Sequence, residues 1–584
     1  MPRKSKKPAA ESEGGDGAVP LCQVWQLMNC AFAQMQVIII GAGLSGLCTA
    51  IALRKYIPAN QNIQVKIYDN TNTHHSSNRD GPSPKVSTSR LGAGLGLQAN
   101  GLRVLGDLDP RLREMVYGYG FPCAHFTWKT AGNYLLGREY LDVLPISRPL
   151  LINCLQERLP EGTVIYKTVS RVLARQGQKP VVQFEDGSPD EIADLVIGAD
   201  GIRSIVRRGL FGENEKYQPE YSGICAVGGV LDMPLPQHLV DDPTMIFFTG
   251  PTGVFGYSGL TQSDRNKLLY WSVYETDLPD RGAELDRSVI TRQLRERHGD
   301  WADPLIGRCL RSASIGHVFP IFVMPDLPYW GRDGCVLVGD AAHALPPRTG
   351  QGASQAFEDA EALALLLAGY LQKGDGRPDE AISRSILGLF EVRAPRVRAI
   401  RADGLRWKQP KMPMSWLKTC GLYAALFLLI RLRNFMNLFK RQDAWNVKEE
   451  VTRYLDYQAL NALDKYKIST YEPHLNHKAQ GRLELHDPDA RRVLRLQAAS
   501  KDHGHKHQRA NLDLPLLLDN HVDEFQSNSW VWNSAGITVV ALVLAKSKKC
   551  LPAGPPLAEL GGCFSVLSFS EKLNVLSSEQ VGAF

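Results

Sequence analysis

The chain has 584 residues, enough for two or more domains with sizeable cores, and its 44% hydrophobic and 22% charged content is ordinary for a globular enzyme. A net charge of +6 over that length, with no basic stripe interleaved with aromatics, argues against nucleic acid as a partner. The 11 cysteines are scattered without a C-x-x-C pair or metal-ligand spacing, which argues against a disulfide scaffold and a metal centre and for an intracellular, reducing compartment.

Residues 1–35 read as an N-terminal extension. Acidic Glu11, Glu13 and Asp16 argue against a mitochondrial presequence, and the apolar stretch from Leu21 is broken by Gln23, Gln26 and Asn29, so no secretory signal is expected. Residues 37–40 then form an apolar run suited to a buried parallel strand. In the following GAGLSG, Gly41 and Gly43 let the backbone turn sharply and approach a pyrophosphate, and Gly46 lets a helix pack close to the strand. Residues 44–56 predict that helix, whose N-terminal N–H groups face phosphate. A second strand, 64–68, delivers Asp69, 69 − 46 = 23 residues after the last glycine and suited to a ribose diol. The pattern describes an adenine dinucleotide site; by itself it does not separate NAD from FAD.

The glycines at 92–96 lack a strand-then-helix context and do not make a second dinucleotide fold. Residues 195–197 predict a further strand. Between about 210 and 330, the runs 244–248, 254–257 and 267–273 predict a sheet. Its Phe247, Phe255, Tyr257, Trp271 and Tyr274 are candidates either for an apolar pocket or for plain core. Residues 335–338 form another strand end, followed by GDAAHALPPRTGQGASQAFEDA. Gly339 permits a turn, Asp340 can hydrogen-bond a polyol such as ribityl, and Pro346, Pro347, Gly350 and Gly352 shape a loop that opens a helix. That helix is apolar at Ala353, Ala356, Phe357, Ala360, Leu363, Ala364 and Leu367. Its N-terminus can stabilise negative charge on a reduced flavin ring. The second signature thus decides for FAD.

The two signatures, with LVIGADGIRSIVRR between them, resemble those of the group A, single-component FAD-dependent aromatic hydroxylases, the salicylate and p-hydroxybenzoate hydroxylase superfamily, over about 36–405. Within it the chain is most similar to fungal secondary-metabolite monooxygenases, including the indole-diterpene epoxidase type. The resemblance implies an α/β fold: a Rossmann-like FAD-binding domain, p-hydroxybenzoate hydroxylase-like, with an inserted antiparallel-sheet substrate domain and a C-terminal helical extension. The expected division is 1–35 extension, 36–209 with 331–405 for FAD, 210–330 for substrate, 406–471 helical, and 472–584 a tail of unknown role. The resemblance also carries over Asp200, Gly201, Ser204 and Arg207 as a motif used for both FAD and NADPH, with Asp200 as a mere turn cap the alternative. Ala93, Gly94 and Arg148 join the FAD set, Arg148 against the ribityl and phosphate region unless it is a solvated helix arginine. The cofactor set is therefore Gly41, Gly43, Gly46, Asp69, Ala93, Gly94, Arg148, Asp200, Gly339, Asp340, Gly350, Gly352 and Ala353. His343 and Pro346 are the candidates beside the flavin ring, His343 as a proton handler or as a packing residue.

The implied chemistry is reduction of FAD by NADPH or NADH, reaction with dioxygen, and transfer of one oxygen atom from a flavin C4a-hydroperoxide. One departure bears on the substrate. Where many relatives carry an arginine or tyrosine in the strand after the D-G motif, this chain has Val227 or Gly228, which turns the expectation from benzoate-like toward apolar or phenolic small molecules. The alternatives are a flavin reductase or dehydrogenase, a halogenase, for which the W-x-W-x-I-P element is missing, and an FAD-stabilised interaction protein. Residues 416–439 hold a basic-flanked apolar run too short to span a bilayer, read either as a helix docked on the core or as peripheral membrane contact. His503, His505 and His507 in the tail read as a polar stretch rather than a metal site. Localisation is expected to be intracellular, cytoplasmic or at a membrane surface.

Overall fold

The apolar run at 37–40 lies at the centre of a parallel sheet, where both strand faces are covered by helices and no polar side is needed. A computed structural model describes residues 34–70, 85–86, 94–277, 285–311, 317–373, 377–406, 415–435 and 444–471. All of them fall in one compact unit, Met1–Asn476. Residues 1–33 of the N-terminal extension, Ala93 and the tail with its three histidines lie outside the described residues.

The chain opens with β1 (Met35–Ile40), α1 (Leu44–Tyr56) and β2 (Ile63–Asp69), the predicted strand-helix-strand unit. β3 (Leu95–Gln98), α2 (Ala99–Leu108), α3 (Pro110–Tyr119), β4 (Cys123–Thr130), β5 (Leu135–Ile146) and α4 (Arg148–Gln156) follow. After β6 (Val164–Tyr166) come β7 (Val169–Leu173) and β8 (Val181–Phe184), then β9 (Leu195–Gly198) and α5 (Ile205–Phe211). The predicted sheet region gives β10 (Glu220–Asp232), β11 (Met245–Gly250), β12 (Gly253–Gly259), β13 (Lys267–Glu275), α6 (Arg287–His298), α7 (Pro304–Arg311) and β14 (His317–Val323). The last part holds β15 (Cys335–Leu337), the short α8 (Asp340–His343), α9 (Gly352–Lys373), α10 (Pro378–Arg406), α11 (Trp416–Phe435) and α12 (Val447–Tyr471).

The first sheet runs β15-β9-β1-β2-β6, all parallel, with the two-residue strand Gly331–Arg332 antiparallel at its edge. β1 lies between β9 and β2, pairing Val37 with Leu195 and with Val65. α1 is buried from Gly46 through Leu53, wedged between this sheet and α9, which explains why it shows no polar face. Cys48 and Cys335 are buried free thiols in this core.

The second sheet has eight strands in the order β14-β10-β13-β12-β11-β4-β5-β3. Every pair is antiparallel except β11 with β4, which is parallel. Three of its strands, β3, β4 and β5, come from inside 36–209, the segment expected to serve FAD. The expected boundary at 210 therefore does not separate the two sheets, since the second sheet recruits strands from both sides of the D-G motif. One face is closed by α6 and α7 over Val227, Phe248, Phe255, Tyr257 and Tyr274. α11 packs on β5 along one side. No described helix is long and apolar enough to cross a membrane.

Candidate functional site

Three segments far apart in sequence meet at the carboxyl ends of β1, β9 and β15, the position where open parallel sheets bind nucleotides. Gly41 has φ +105°, and a β-carbon there would run into Ala199 O and lie 2.9 Å from Asp200 Cα. The first glycine is thus required by the approach of the D-G segment as well as by the turn. Gly339, at φ +59°, faces Ser45 Oγ, so the two glycine signatures touch directly. Gly94 packs against Leu269 of β13, and Gly350 against Gln98 Nε2. Gln98 ends β3, so the 346–352 loop meets the second sheet there.

Asp69, half-buried at the end of β2, accepts a hydrogen bond from Ala42 N at 2.7 Å. Its carboxylate fixes the glycine loop from the side where a ribose diol is expected. Asp200 divides its two oxygens. Oδ2 accepts from Ile205 N at 2.6 Å and Val206 N at 3.3 Å, capping α5, while buried Oδ1 has no hydrogen-bond partner. Burial raises this carboxyl above its ordinary pKa, against the backbone hydrogen bonds at the helix start. The capping alternative accounts for one oxygen only.

Ser204 caps the same helix by accepting from Arg207 N at 2.9 Å. Arg207 is fully buried and donates from Nη1 to Ala341 O at 2.9 Å and from Nη2 to Ile202 O at 2.6 Å. It straps the D-G turn to the start of the second signature, and burial pushes its pKa down to about 10. Arg148 stands at the first turn of α4, half-buried, with no hydrogen bond or ion pair among the described residues. Asp340 is exposed and likewise unpartnered among them. Gly352 and Ala353, both half-buried, open α9.

The orphaned Asp200 Oδ1, the free Arg148 and Asp340, and open space around Gly43 and Gly352 are what a bound polar dinucleotide would complete. These residues fit FAD. Gly41, Gly43 and the start of α1 would hold the pyrophosphate, Asp69 the ribose, and Asp340 the ribityl chain.

His343 and Pro346 are both buried. His343 Nε2 lies 2.5 Å from Asp359 Oδ2, and its ring packs 4.8 Å from that of Trp330. The ring is thus buried and engaged by Asp359 and Trp330.

The sequence reading passed over the group that holds His343. Asp359 also accepts from Gly339 N at 2.9 Å and from Arg393 Nε at 2.9 Å, and the Asp359, Arg393 and His343 side chains are all buried. Arg393 Nη2 donates to Gln355 Oε1 at 2.6 Å, and Nη1 lies 2.6 Å from Glu358 Oε2 as an ion pair without hydrogen-bond alignment. Gln355 in turn donates to Gln351 Oε1 at 3.1 Å, Gln351 donates to Gln98 Oε1, and Gln98 donates to Thr349 O at 3.2 Å. Charged and amide residues on the apolar faces of α9 and α10 were the only signal of this chain.

On the face of the second sheet opposite α6 and α7, Trp128, Phe247, Gly256, Trp271 and Gly228 stand in one row across β4, β11, β12, β13 and β10. Trp128 stacks on Phe247 at 4.8 Å, and Trp271 meets Phe247 edge-on at 5.3 Å. All three rings are half-buried, unlike Phe255, Tyr257 and Tyr274, which belong to the core on the other face. Leu269, which touches Gly94, is on the same face as Trp271, two residues along β13.

Comparison with known proteins agrees with this geometry. A family described as an FAD binding domain matches residues 148–379, from Arg148 through the D-G motif and the whole second signature. The salicylate hydroxylase of Pseudomonas putida is 26% identical over 386 residues, covering 62% of this chain and 82% of that protein. The FAD-dependent monooxygenase penM of Penicillium crustosum is 25% identical over 424 residues, covering 68% of this chain and 81% of that protein. A salicylate hydroxylase substrate complex shares the fold, with a TM-score of 0.54 at 20% identity over 72% of this chain and 97% of that one. Together these findings support the group A FAD monooxygenase superfamily, and the chain is an FAD-dependent monooxygenase, an oxidoreductase.

Proposed function

We propose that the enzyme uses NADPH to insert one oxygen atom, by hydroxylation or epoxidation, into an apolar or phenolic secondary metabolite, as the fungal indole-diterpene epoxidase type does. The observation that carries this reading is the aromatic row. Val227 is buried in the opposite core, and Gly228, in the row beside Trp271, brings no side chain, so the position of the relatives' arginine or tyrosine offers no anchor for a carboxylate.

FAD, once bound and reduced, supplies the oxygen chemistry. The chain's own residues bind, orient and exclude water. Gly41, Gly43 and Asp69 take the adenosine side, Arg148 the phosphates, and Asp340 with Gly350, Gly352 and Ala353 the ring side. The N-terminal N–H groups of α9 favour negative charge there. Trp128, Phe247, Trp271 and Leu269 keep the facing side dry, which suits an apolar ring or alkene and leaves a phenol only its hydroxyl to orient it. In this division 36–209 and 331–405 serve FAD and 210–330, with β3 to β5, serves the substrate.

Purified protein carrying FAD tests the reading: NADPH oxidation and oxygen uptake are followed across apolar and phenolic candidates, and products are weighed by mass spectrometry. One added oxygen atom is expected. Substrate-stimulated flavin reduction without oxygen incorporation overturns it in favour of a reductase or dehydrogenase.

A further inference from the structure

α11 has two unlike long sides. Toward the second sheet, Tyr423 Oη donates to Thr249 O at 3.1 Å, Asn434 Nδ2 donates to Arg138 O at 2.6 Å, and buried Ile430 packs over Gly137. Arg433 reaches Glu139, 3.4 Å away, which also accepts from Trp128 Nε1 at 2.9 Å. The inner side of α11 therefore closes over the end of the aromatic row.

The outer side carries Leu417, Gly421, Ala425, Leu428, Leu432 and Phe435, all exposed. Their spacing of three and four residues makes one continuous apolar stripe. Leu417 is 73% exposed and Phe435 85%, with Trp416, 59% exposed, at the helix start. Such a stripe on a docked helix is unusual, because burying it against anything apolar would stabilise the contact.

Charge decides what covers it. The helix contains no acidic residue. Exposed Lys418 and Arg431 fall on the two borders of the stripe at 3.6 residues per turn, and neither has an ion-pair partner among the described residues; Arg431 lies 3.7 Å over the Phe427 ring of its own helix. Lys411, Lys440 and Arg441 add cations just beyond the helix in sequence. A second copy meeting this face would set like charges against each other. An anionic bilayer would take the stripe into its acyl boundary and pair the cations with headgroups.

We propose that α11 docks the enzyme in the plane of an anionic membrane surface, through its apolar stripe bordered by Lys418 and Arg431. For catalysis the inference rests on the apolar-substrate reading above: a lipophilic substrate held in the bilayer would then be separated from Trp128 and Phe247 by one helix.

Full-length, FAD-loaded protein is co-sedimented with vesicles of phosphatidylserine and phosphatidylcholine, and with phosphatidylcholine alone. Binding to the anionic vesicles is expected, falling as salt is raised. The triple variant L417E/L428E/F435E should lower the partition coefficient by at least about tenfold. The pair K418E/R431E should lose the phosphatidylserine preference while keeping bound FAD and the unaltered melting temperature. Absence of binding to anionic vesicles, binding unchanged in the triple variant, or a wild-type dimer that the triple variant dissolves while vesicles remain unbound would each overturn the inference. Substrate-dependent oxygen uptake in vesicle-free solution is read on the same preparations, so failure of docking is told apart from failure of the oxygenase reading.

Discussion

Gly43 and Gly46 belong to the same glycine signature and answer to different partners, which makes Gly43→Ala an incisive substitution. Gly43 has φ −79° and ψ −173°, extended backbone open to any residue, and a β-carbon there has nothing within 4 Å. Its cost to the protein without flavin is that of alanine at a helix N-cap, at most about 1 kcal/mol. Gly46 is the opposite case: its β-carbon would overlap Gly41 O and stand 3.2 Å from Ala199 Cβ, so α1 has to move off β1 at a cost of about 1–3 kcal/mol. With FAD present the Gly43 methyl fills the space a pyrophosphate needs. Losing one hydrogen bond to a charged oxygen is worth about 1.5–3 kcal/mol, or about 10- to 150-fold in Kd. Gly43→Ala should therefore weaken FAD binding by that factor and leave the flavin-free Tm within about 4 °C of the unaltered chain; Gly46→Ala should lower both. Flavin fluorescence titration and calorimetry of flavin-stripped protein give the two readouts. Unchanged FAD affinity in Gly43→Ala, or a flavin-free Tm as low as that of Gly46→Ala, would refute the placement of the pyrophosphate.

Asp340→Ala removes an exposed, unpartnered carboxylate, so the flavin-free Tm should stay within the small range of surface substitutions while retained FAD falls; equal cofactor content after purification would count against the ribityl assignment. Asp359→Asn leaves buried Arg393 with Glu358 as its remaining carboxylate and should cost about 1.5–3 kcal/mol in denaturant unfolding, a loss below about 1 kcal/mol contradicting it. Burial raises the Asp359 carboxyl, yet His343 and Arg393 outweigh it and hold the pKa below the ordinary 3.8. Its contribution is then complete above about pH 4 and is lost as pH falls through the lower folded value, so Asp359→Asn should flatten that acid limb. Glu361 behaves with the opposite sign: burial pushes it up to about 7 despite the hydrogen bond from Tyr56. Between about pH 4.5 and 7 the folded chain keeps a proton that the unfolded chain has lost, so stability falls with rising pH and Glu361→Gln should abolish that fall; parallel Tm profiles for the two proteins would refute it.

How far the site was legible depends on which force each residue serves. Gly41 and Gly339 were legible because backbone turns at positive φ select glycine whatever surrounds them. The bounds of α1 were legible because helix and glycine loop are one local device, and Leu44–Tyr56 matches the reading to the residue. The division of Phe247 and Trp271 from Phe255 and Tyr257 was not, since strand parity assigns residues to two faces without saying which face carries helices. The recruitment of β3, β4 and β5 into the second sheet is non-local pairing that no window of sequence contains. His343 illustrates the limit most sharply: its place beside the second signature is sequence-local, but its engagement depends on Asp359, sixteen residues on, and on Arg393 of another helix.

That engagement also explains how a loop rich in glycine and proline can be held in a fixed place. Gly339 N is bound by Asp359, Asp359 by Arg393, Arg393 by Gln355, Gln355 by Gln351, Gln351 by Gln98, and Gln98 by Thr349 O, so the buried polar chain ties Gly339 to Thr349, ten residues on, by way of α9, α10 and β3. A chain of satisfied buried hydrogen bonds is stiff, because each link broken strands a polar group away from water. Asp340 and Gly350 are therefore fixed relative to each other through α9 and α10 rather than through the loop joining them. The two ends of the loop are set from beneath.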